Sequence, residues 1–269
     1  MYKLIISDLD GTLLNSNHKM DSFTKDILHQ VHSKGVNFVI ATGRTFLDAV
    51  RVKNDLGLNV PMITTNGAAL YDENNKELYR YDLPKEFIAN ILKLQYKNFG
   101  KDIVMNSIAE DKWYIHDSID ANHKLHEWEE ENWKFEYINK EKIGDLRVSK
   151  IFFIGKHEEL EKIEKYILNN YSDIVNFAFT LPFCFEIYSK YATKGEALKK
   201  LAEIKKYNLK QAIAFGDGLN DIEMLALVKK AYTMKNASPK LKKALSNSEE
   251  IGVNYESAVA NKLKELFEI

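Results

Sequence analysis

Cysteine is nearly absent from this sequence of 269 residues, and its single example is Cys184. No disulfide can form within such a chain, and no cluster of thiolates can hold zinc or an iron–sulfur centre. The lack of disulfides fits a reducing compartment, so we expect a cytoplasmic protein.

An excess of charge of one sign is also missing. The chain has 38 Lys and Arg against 39 Asp and Glu, a formal net charge of −1. Such a chain has no strong positive field to attract the phosphate backbone of a nucleic acid or an anionic lipid surface. The first apolar run, Leu4–Ile6, is far shorter than the roughly 20 apolar residues of a membrane span. We therefore expect no nucleic-acid partner and no membrane partner.

What the sequence does contain is an alternation of short apolar runs with amphipathic stretches. Strands are predicted over Leu4–Ser7, Val36–Ala41 and Pro61–Thr65, and helices over Ser22–Lys34 and Thr45–Leu56. This order is typical of strands joined by crossover helices around a largely parallel sheet. The predicted fold class is α/β.

The pattern changes in the middle of the chain. Hairpins and helices replace the βα repeat there, with a predicted helix over Lys85–Asn98, a turn at Glu110–Asp111 and a helix through Trp128. All three tryptophans fall in this stretch, as a separate hydrophobic core would require. The predicted organisation is a core of residues 1–83 and 187–269 with an inserted α/β unit of residues 84–186.

Two acids follow the first predicted strand. Asp8 and Asp10 are two residues apart, so in an extended segment they face the same side and reach one cation or one substrate atom. Gly11 then allows a sharp turn, and open α/β sheets bind their ligands at this end of the strands. The alternative is an exposed loop with two helix-capping acids.

Two further loops offer groups that bind anions. Thr42-Gly43-Arg44 supplies a hydroxyl and a backbone N–H at the start of a helix, although simple capping explains such a sequence as well. Thr64-Thr65-Asn66-Gly67 follows the third strand and is equally consistent with a plain turn.

A second acidic motif lies near the other end of the chain. Asp217 and Asp221 follow the predicted strand Gln211–Phe215, and carboxylates from separate strands suit the octahedral oxygen coordination of Mg²⁺. Asp221 also fits the start of a helix. Lys194 opens another predicted helix, and an isolated lysine there is nearly always solvent-facing.

Taken together, these four segments resemble the motifs of the haloacid dehalogenase-like (HAD) hydrolase superfamily. Asn66-Gly67 and the long insertion are similar to its Cof-type phosphatases. The resemblance implies a Rossmann-like parallel-sheet core with an inserted α/β cap over the site, which governs access and the choice of leaving group.

The resemblance also implies a role for each motif residue. Asp8 is the expected nucleophile, which forms an aspartyl-phosphate, and Asp10 is the expected general acid and base. Mg²⁺ is expected on Asp8, Asp217 and the backbone carbonyl of Asp10, with Asp221 behind them orienting Lys194 or metal-bound waters. The phosphoryl oxygens are expected to bind the Leu9 N–H, Thr42, the Gly43 N–H, Lys194 and Asn220. Replacing Lys194 by Met is expected to impair catalysis while barely altering stability.

The implied function is that of a Mg²⁺-dependent phosphatase acting on a small phosphorylated metabolite, with sugar phosphates as the first expectation. Asp10 favours phosphate chemistry over dehalogenation, because a departing halide needs no acid. Two alternatives stay open: a phosphomutase acting on sugar phosphates, and a non-catalytic regulator that binds a phosphometabolite. A monomer or weak homodimer is expected.

Two features of the inserted unit have a simpler interpretation than a functional site. His123 and His126, with Glu127, Glu129 and Glu130, invite comparison with a metal site, but a solvated helix face is favoured. Cys184, in an apolar strand, is expected to be packed rather than reactive.

Overall fold

The computed structural model describes residues 2–110, 112–129 and 134–269. The chain forms two compact units, one of Met1–Arg80 with Ala192–Ile269 and an inserted one of Tyr81–Tyr191. The predicted boundaries at residues 83 and 186 lie a few residues away from these. The second would cut a strand that continues to Ser189.

The described part of the chain contains fourteen strands and nine α-helices. The strands are β1 Leu4–Ser7, β2 Asn37–Ala41, β3 Met62–Thr64, β4 Ala69–Tyr71, β5 Glu77–Arg80, β6 Val104–Ala109, β7 Lys112–Ile115, β8 Phe135–Tyr137, β9 Val148–Ile154, β10 Val175–Leu181, β11 Cys184–Ser189, β12 Ala212–Gly216, β13 Lys230–Met234 and β14 Glu249–Ile251. The α-helices are α1 Ser22–Ser33, α2 Phe46–Leu56, α3 Lys85–Ile91, α4 Lys140–Ile143, α5 His157–Tyr171, α6 Lys194–Lys205, α7 Ile222–Leu227, α8 Pro239–Ala244 and α9 Ala258–Phe267.

The core unit is built on one eight-stranded sheet in the order β14-β13-β12-β1-β2-β3-β4-β5. The strands from β14 to β3 run parallel, whereas β4 and β5 return as antiparallel hairpins. In the centre of the sheet, Leu4 of β1 pairs with Asn37 of β2 on one side and Ala212 of β12 on the other. The predicted α/β class with a parallel-sheet core is confirmed.

Local sequence accounts for the helices of the core. The Asp21 side chain accepts a hydrogen bond from the Thr24 N–H at 2.8 Å and so caps the start of α1. Ile27, Leu28 and Val31 recur on one face of that helix and are buried against the sheet core. Such burial of apolar side chains is the main source of stability for a helix of this length.

The inserted unit has a six-stranded sheet of its own, in the order β10-β11-β9-β6-β7-β8. Alternate residues of its strands enter two separate apolar clusters, as the two faces of a pleated sheet require. Phe153 belongs to the cluster that includes residues of α3 and α5, whereas its neighbour Phe152 packs with Trp113 and Leu125. The unit therefore has its own hydrophobic core.

Helix predictions in the inserted unit were partly wrong. The predicted helix Lys85–Asn98 ends at Ile91 and is followed by a short 3₁₀ turn at Tyr96–Asn98. The segment Lys124–Trp128 forms a 3₁₀ helix rather than an α-helix. At the predicted hairpin turn, Glu110 has a φ of 50°, and Asp111 lies outside the described residues, as do Glu130 and Trp133. Among the helices described, none has the length and apolar character needed to cross a bilayer.

Candidate active site

The sequence motifs converge because the strands that precede them are neighbours in the sheet. Strands β12, β1, β2 and β3 are adjacent and parallel, so the loops after them leave the sheet at the same edge. The first helical residue of α6, Lys194, reaches the same place. Residues far apart in sequence thus form one site.

A buried lysine joins two of the predicted acids. Lys194 Nζ donates to Asp8 Oδ1 at 2.6 Å and to Asp221 Oδ1 at 2.7 Å. The Lys194 and Asp221 residues have 0% of their surface exposed, and Asp8 has 7%. The solvent-facing interpretation of Lys194 is therefore wrong, because its ammonium group is buried and donates to two buried acids.

The other oxygen of Asp221 holds the backbone of the loop that carries Asp217. Asp221 Oδ2 accepts hydrogen bonds from the N–H groups of Asp217 at 3.0 Å and Gly218 at 2.9 Å. Both Asp221 oxygens therefore have donors. Asp221 lies where it can orient Lys194 and the loop that carries Asp217.

The electrostatics of this group are dominated by burial. Burial raises the pKa of Asp8 to about 8, against the opposing charge of Lys194 and with a further increase from the charges of Asp221 and Asp217. Burial alone would lower the pKa of Lys194, but the charges of Asp221 and Asp8 outweigh it and raise that pKa. Lys194 is thus held as a cation, whereas an ionised Asp8 gains from any further positive charge.

The arrangement of carboxylates fits a hard divalent cation. Asp8, Asp217 and Asp221 each offer a carboxylate oxygen, and these oxygens lie within 4.8 Å of one another. Burial also raises the pKa of Asp217, with a further increase from the charge of Asp221, against the Thr12 hydrogen bond and the charge of Lys194. Because the Asp221 oxygens already have donors, Asp8 and Asp217 are the better candidates for carboxylate ligands. The Asp10 carboxylate is not part of this group, and the prediction for Asp10 involved only its backbone carbonyl.

A glycine lets the Asp10 loop approach Asp217. Gly11 has a φ of +76°, and a Cβ atom there would lie 2.3 Å from Asp217 Oδ2. The next residue, Thr12, donates its hydroxyl to Asp217 Oδ1 at 2.7 Å. The first and last motifs are therefore packed directly against each other.

Asp10 has two partners that the sequence did not reveal. Arg44 Nε donates to Asp10 Oδ2 at 2.7 Å, and Arg44 Nη2 donates to Oδ1 at 2.6 Å. His18 Nδ1 lies 2.9 Å from the same Oδ1. Burial alone would raise the pKa of Asp10, but the hydrogen bonds and charges of Arg44 and His18 outweigh it and lower that pKa. In the sequence, only the position of Arg44 next to Thr42-Gly43 pointed to this residue, and that position did not indicate that Arg44 binds Asp10.

The predicted phosphate-binding groups lie along the same edge. Thr42 is buried, and its hydroxyl oxygen accepts a hydrogen bond from the Arg44 N–H at 3.1 Å. Leu9 is fully buried, and its backbone N–H is its only hydrogen-bond donor. Asn220 is exposed, and its Nδ2 donates to Asn66 Oδ1 at 2.8 Å. Gly43 lies next to the same Asn66 oxygen, which would be 2.9 Å from a Cβ atom on Gly43.

The two secondary candidates lie in the inserted unit. His126 Nδ1 pairs with Glu129 Oε2 at 2.8 Å, and the part of the chain that the structure describes holds no acid or histidine cluster suited to a metal in this unit. Glu130 of that motif is outside the described residues. Cys184 is buried, and burial raises the pKa of its thiol to about 11, as expected for a packed cysteine.

Comparison with known proteins identifies the family of this chain. Residues 5–263 match the haloacid dehalogenase-like hydrolase family. A Haemophilus influenzae protein that is named as a phosphatase is 35% identical to this chain over 268 residues. The match covers 99% of this chain and 97% of that protein. The HMP-PP phosphatase of Yersinia pseudotuberculosis is 32% identical over 273 residues, covering 98% of this chain and 94% of that protein.

A solved structure shows the same fold. It is that of a haloacid dehalogenase-like hydrolase from Bacteroides thetaiotaomicron, which matches with a TM-score of 0.85 at 24% identity and covers 99% of this chain and 100% of that one. With the family match over nearly the whole length and the four motifs gathered at one sheet edge, the chain belongs to the haloacid dehalogenase-like hydrolase family, and its activity is that of a phosphatase.

Proposed function

We propose that this phosphatase hydrolyses small phosphate monoesters in a Mg²⁺-dependent reaction, through an aspartyl-phosphate on Asp8. The state of the Asp8 carboxylate carries the proposal. Its Oδ1 is fixed by Lys194 at 2.6 Å, whereas Oδ2 accepts no hydrogen bond from the described residues. A buried carboxylate with one oxygen fixed and one free is suited to nucleophilic attack.

In the first step, Asp8 Oδ2 forms a bond to phosphorus as the bond from phosphorus to the ester oxygen breaks. Asp10 donates a proton to the departing alkoxide. In the second step, Asp10 takes a proton from water as that water attacks the phosphorus of the aspartyl-phosphate, which releases phosphate and restores Asp8.

The partners of Asp10 suit this exchange. Arg44 and His18 hold the carboxylate and lower its pKa, which favours the ionised form needed to accept a proton from water. The negative charge of a bound phosphate ester raises that pKa, so binding of substrate favours the protonated form needed to assist the leaving group.

Positive charge and hydrogen-bond donors complete the site. The phosphoryl oxygens are proposed to bind Lys194, the Thr42 hydroxyl, the Leu9 and Gly43 N–H groups and Asn220. Asp221 is proposed to orient Lys194. A Mg²⁺ on Asp8, Asp217 and the Asp10 carbonyl would reduce the repulsion between a carboxylate and a phosphate dianion.

Sugar phosphates are the substrates that we place first. The net charge of −1 offers no field for a polyanionic polymer. We assign selection of the leaving group to the inserted unit, predicted as residues 84–186, and place the protein in the cytoplasm, in keeping with its single buried Cys184. The name of the Yersinia relative adds HMP-PP to the compounds to be tested.

The test is a panel of sugar phosphates, nucleotides and HMP-PP, assayed with Mg²⁺ for released phosphate and, by ³¹P NMR, for isomerised sugar phosphate. Isomerisation without release would identify a phosphomutase, and binding without turnover a regulator. Single-turnover reactions with ³²P-labelled substrate should label the protein after an acid quench. The label should persist longer in Asp10→Asn, which slows hydrolysis of the intermediate.

The control pair is Asp8→Asn and Asp26→Asn. Asp8→Asn should give neither labelled protein nor turnover, because an amide is not a nucleophile towards phosphorus. Asp26 is an exposed acid on α1, and its replacement should leave both unchanged. Turnover by Asp8→Asn within tenfold of wild type would exclude covalent catalysis by Asp8.

A further inference from the structure

The loop after β3 has an unusual backbone. Three consecutive residues have positive φ angles: 49° for Thr65, 56° for Asn66 and 100° for Gly67. This left-handed region is unfavourable for a β-branched residue such as Thr65, while Asn and Gly tolerate it. A strained segment persists only where its surroundings impose it, and such segments concentrate at functional sites.

The surroundings of this loop are the phosphate-binding loops themselves. The Thr65 N–H donates to the Arg44 carbonyl at 2.7 Å, and the Asn66 N–H donates to the Thr42 carbonyl at 3.1 Å. Gly67 lies so close to the start of α6 that a Cβ atom there would be 2.2 Å from the Thr193 carbonyl oxygen. The backbone of Asn66 is therefore fixed relative to the Thr42-Gly43 loop and to Lys194.

The Asn66 side chain connects this fixed backbone to Asn220. Its Oδ1 accepts one N–H of Asn220 Nδ2 at 2.8 Å. Asn220 is exposed, and within the described chain this is the only hydrogen bond its side chain makes. Because an amide NH₂ group is planar, fixing one N–H also fixes the direction of the other.

We propose that Asn66 is a positioning residue that holds the Asn220 amide in the orientation needed to donate its second N–H to the phosphoryl group. The inference rests on the proposed function, in which Asn220 binds a phosphoryl oxygen. An exposed asparagine without this partner would sample several rotamers, and the substrate would have to order it on binding. With its backbone in the left-handed conformation, Asn66 has its Oδ1 within hydrogen-bond distance of Asn220.

The test is a double-mutant cycle on Asn66→Gly and Asn220→Ala. Glycine adopts a φ of 56° without strain, so Asn66→Gly removes the side chain and keeps the loop. We expect kcat/KM to fall about tenfold in Asn66→Gly and about a hundredfold in Asn220→Ala. Adding Asn66→Gly to Asn220→Ala should have no further effect, because Asn66 acts only through Asn220.

A matched control is Lys206→Gly. Lys206 also has a φ of 56°, is exposed and ends α6, so the substitution relieves the same backbone conformation away from the site. It should leave kcat/KM unchanged. Resistance to urea should not decrease in Asn66→Gly, which separates positioning of Asn220 from a structural role.

Three results would overturn the inference. The first is unchanged kcat/KM in Asn66→Gly when Asn220→Ala is impaired. The second is an Asn66→Gly effect of the same size in both backgrounds, which would show that Asn66 acts independently of Asn220. The third is full activity of Asn220→Ala, which would also remove Asn220 from the phosphate site, while the role of Asp8 would still be judged by Asp8→Asn.

Discussion

Replacing Lys194 by Met should destabilise the core unit severely. Met is close to the lysine stem in volume, so the change removes a charge without opening a cavity. The ammonium group lies 2.6 Å from Asp8 Oδ1 and 2.7 Å from Asp221 Oδ1, with no exposure of the lysine to solvent. Removing one partner of a buried ion pair typically costs about 3–5 kcal/mol, because the remaining charge is left uncompensated. This prediction replaces the one made from the sequence, which was that Lys194→Met would barely alter the stability of the protein.

The loss should also depend on pH. Burial already raises the pKa of Asp8 to about 8, and the charge of Lys194 opposes that rise. An acid with a raised folded-state pKa is stabilising below its unfolded pKa, and this contribution is lost as pH rises through the folded value. Without Lys194, Asp8 should bind a proton more readily, so Lys194→Met should lose more stability at pH 8 than at pH 5.

The assay is hydrogen exchange by mass spectrometry on peptides covering β1 and β12, in chelator, at pH 5 and pH 8 after correction for intrinsic rates. Lys53→Met is the matched control. Lys53 is also buried, but its Nζ donates to neutral oxygens, the Glu73 carbonyl at 2.6 Å and Asn75 Oδ1 at 2.7 Å. Its replacement should cost about 1–3 kcal/mol, with similar losses at both pH values. Equal losses in the two variants at pH 8, or no pH dependence in Lys194→Met, would refute the reasoning.

Three further predictions concern the same site. The metal-free wild type should lose unfolding free energy as pH rises from about 4 through about 8, as judged by urea titration, and Asp8→Asn should flatten this profile because it removes the group with the raised pKa. Gly11→Ala should destabilise the protein by at least about 1–2 kcal/mol and abolish Mg²⁺-dependent turnover. The reason is that Gly11 has a φ of +76° and that Asp217 occupies the space of the new Cβ atom. A variant that stays active and stable would contradict this contact. Chelator should abolish turnover, with recovery in Mg²⁺ but not in the larger Ca²⁺, and full activity in Ca²⁺ would argue against a compact octahedral site.

The sequence was sufficient to predict those elements of the fold that depend on a local pattern of residues. Leu4–Ser7 is a short continuous apolar run, and its burial on both faces follows from a central position in a parallel sheet. The positions of Asp8 and Asp10 at the edge of the sheet follow from their place directly after this strand. The edge strands Phe135–Tyr137 and Glu249–Ile251 were missed, because they are three residues long, partly polar and paired on one side only.

Contacts over long sequence distances could not be read from the chain. The predicted helix Lys85–Asn98 ends at Ile91, and the chain then buries Tyr96, whose hydroxyl donates to Asp117 at 2.8 Å. In the same way, the burial of Lys194 depends on two acids from other loops, and no property of its own segment indicates them. Spacing along the sequence located the candidate site residues, while their hydrogen-bond partners depended on the tertiary fold.

The central place of β1 has a consequence for synthesis of the protein. Leu4 of β1 pairs with Ala212 of β12, so one side of the first strand lacks its neighbour until Ala212–Gly216 have left the ribosome. Domains generally fold as units during translation, and an unpaired strand edge is a site of misassociation. A nascent chain that ends before β12 therefore has an open sheet edge and lacks Asp221, one of the two acids that Lys194 contacts in the finished protein. The acids that follow β12, Asp217 and Asp221, can therefore join the sheet edge only late in synthesis.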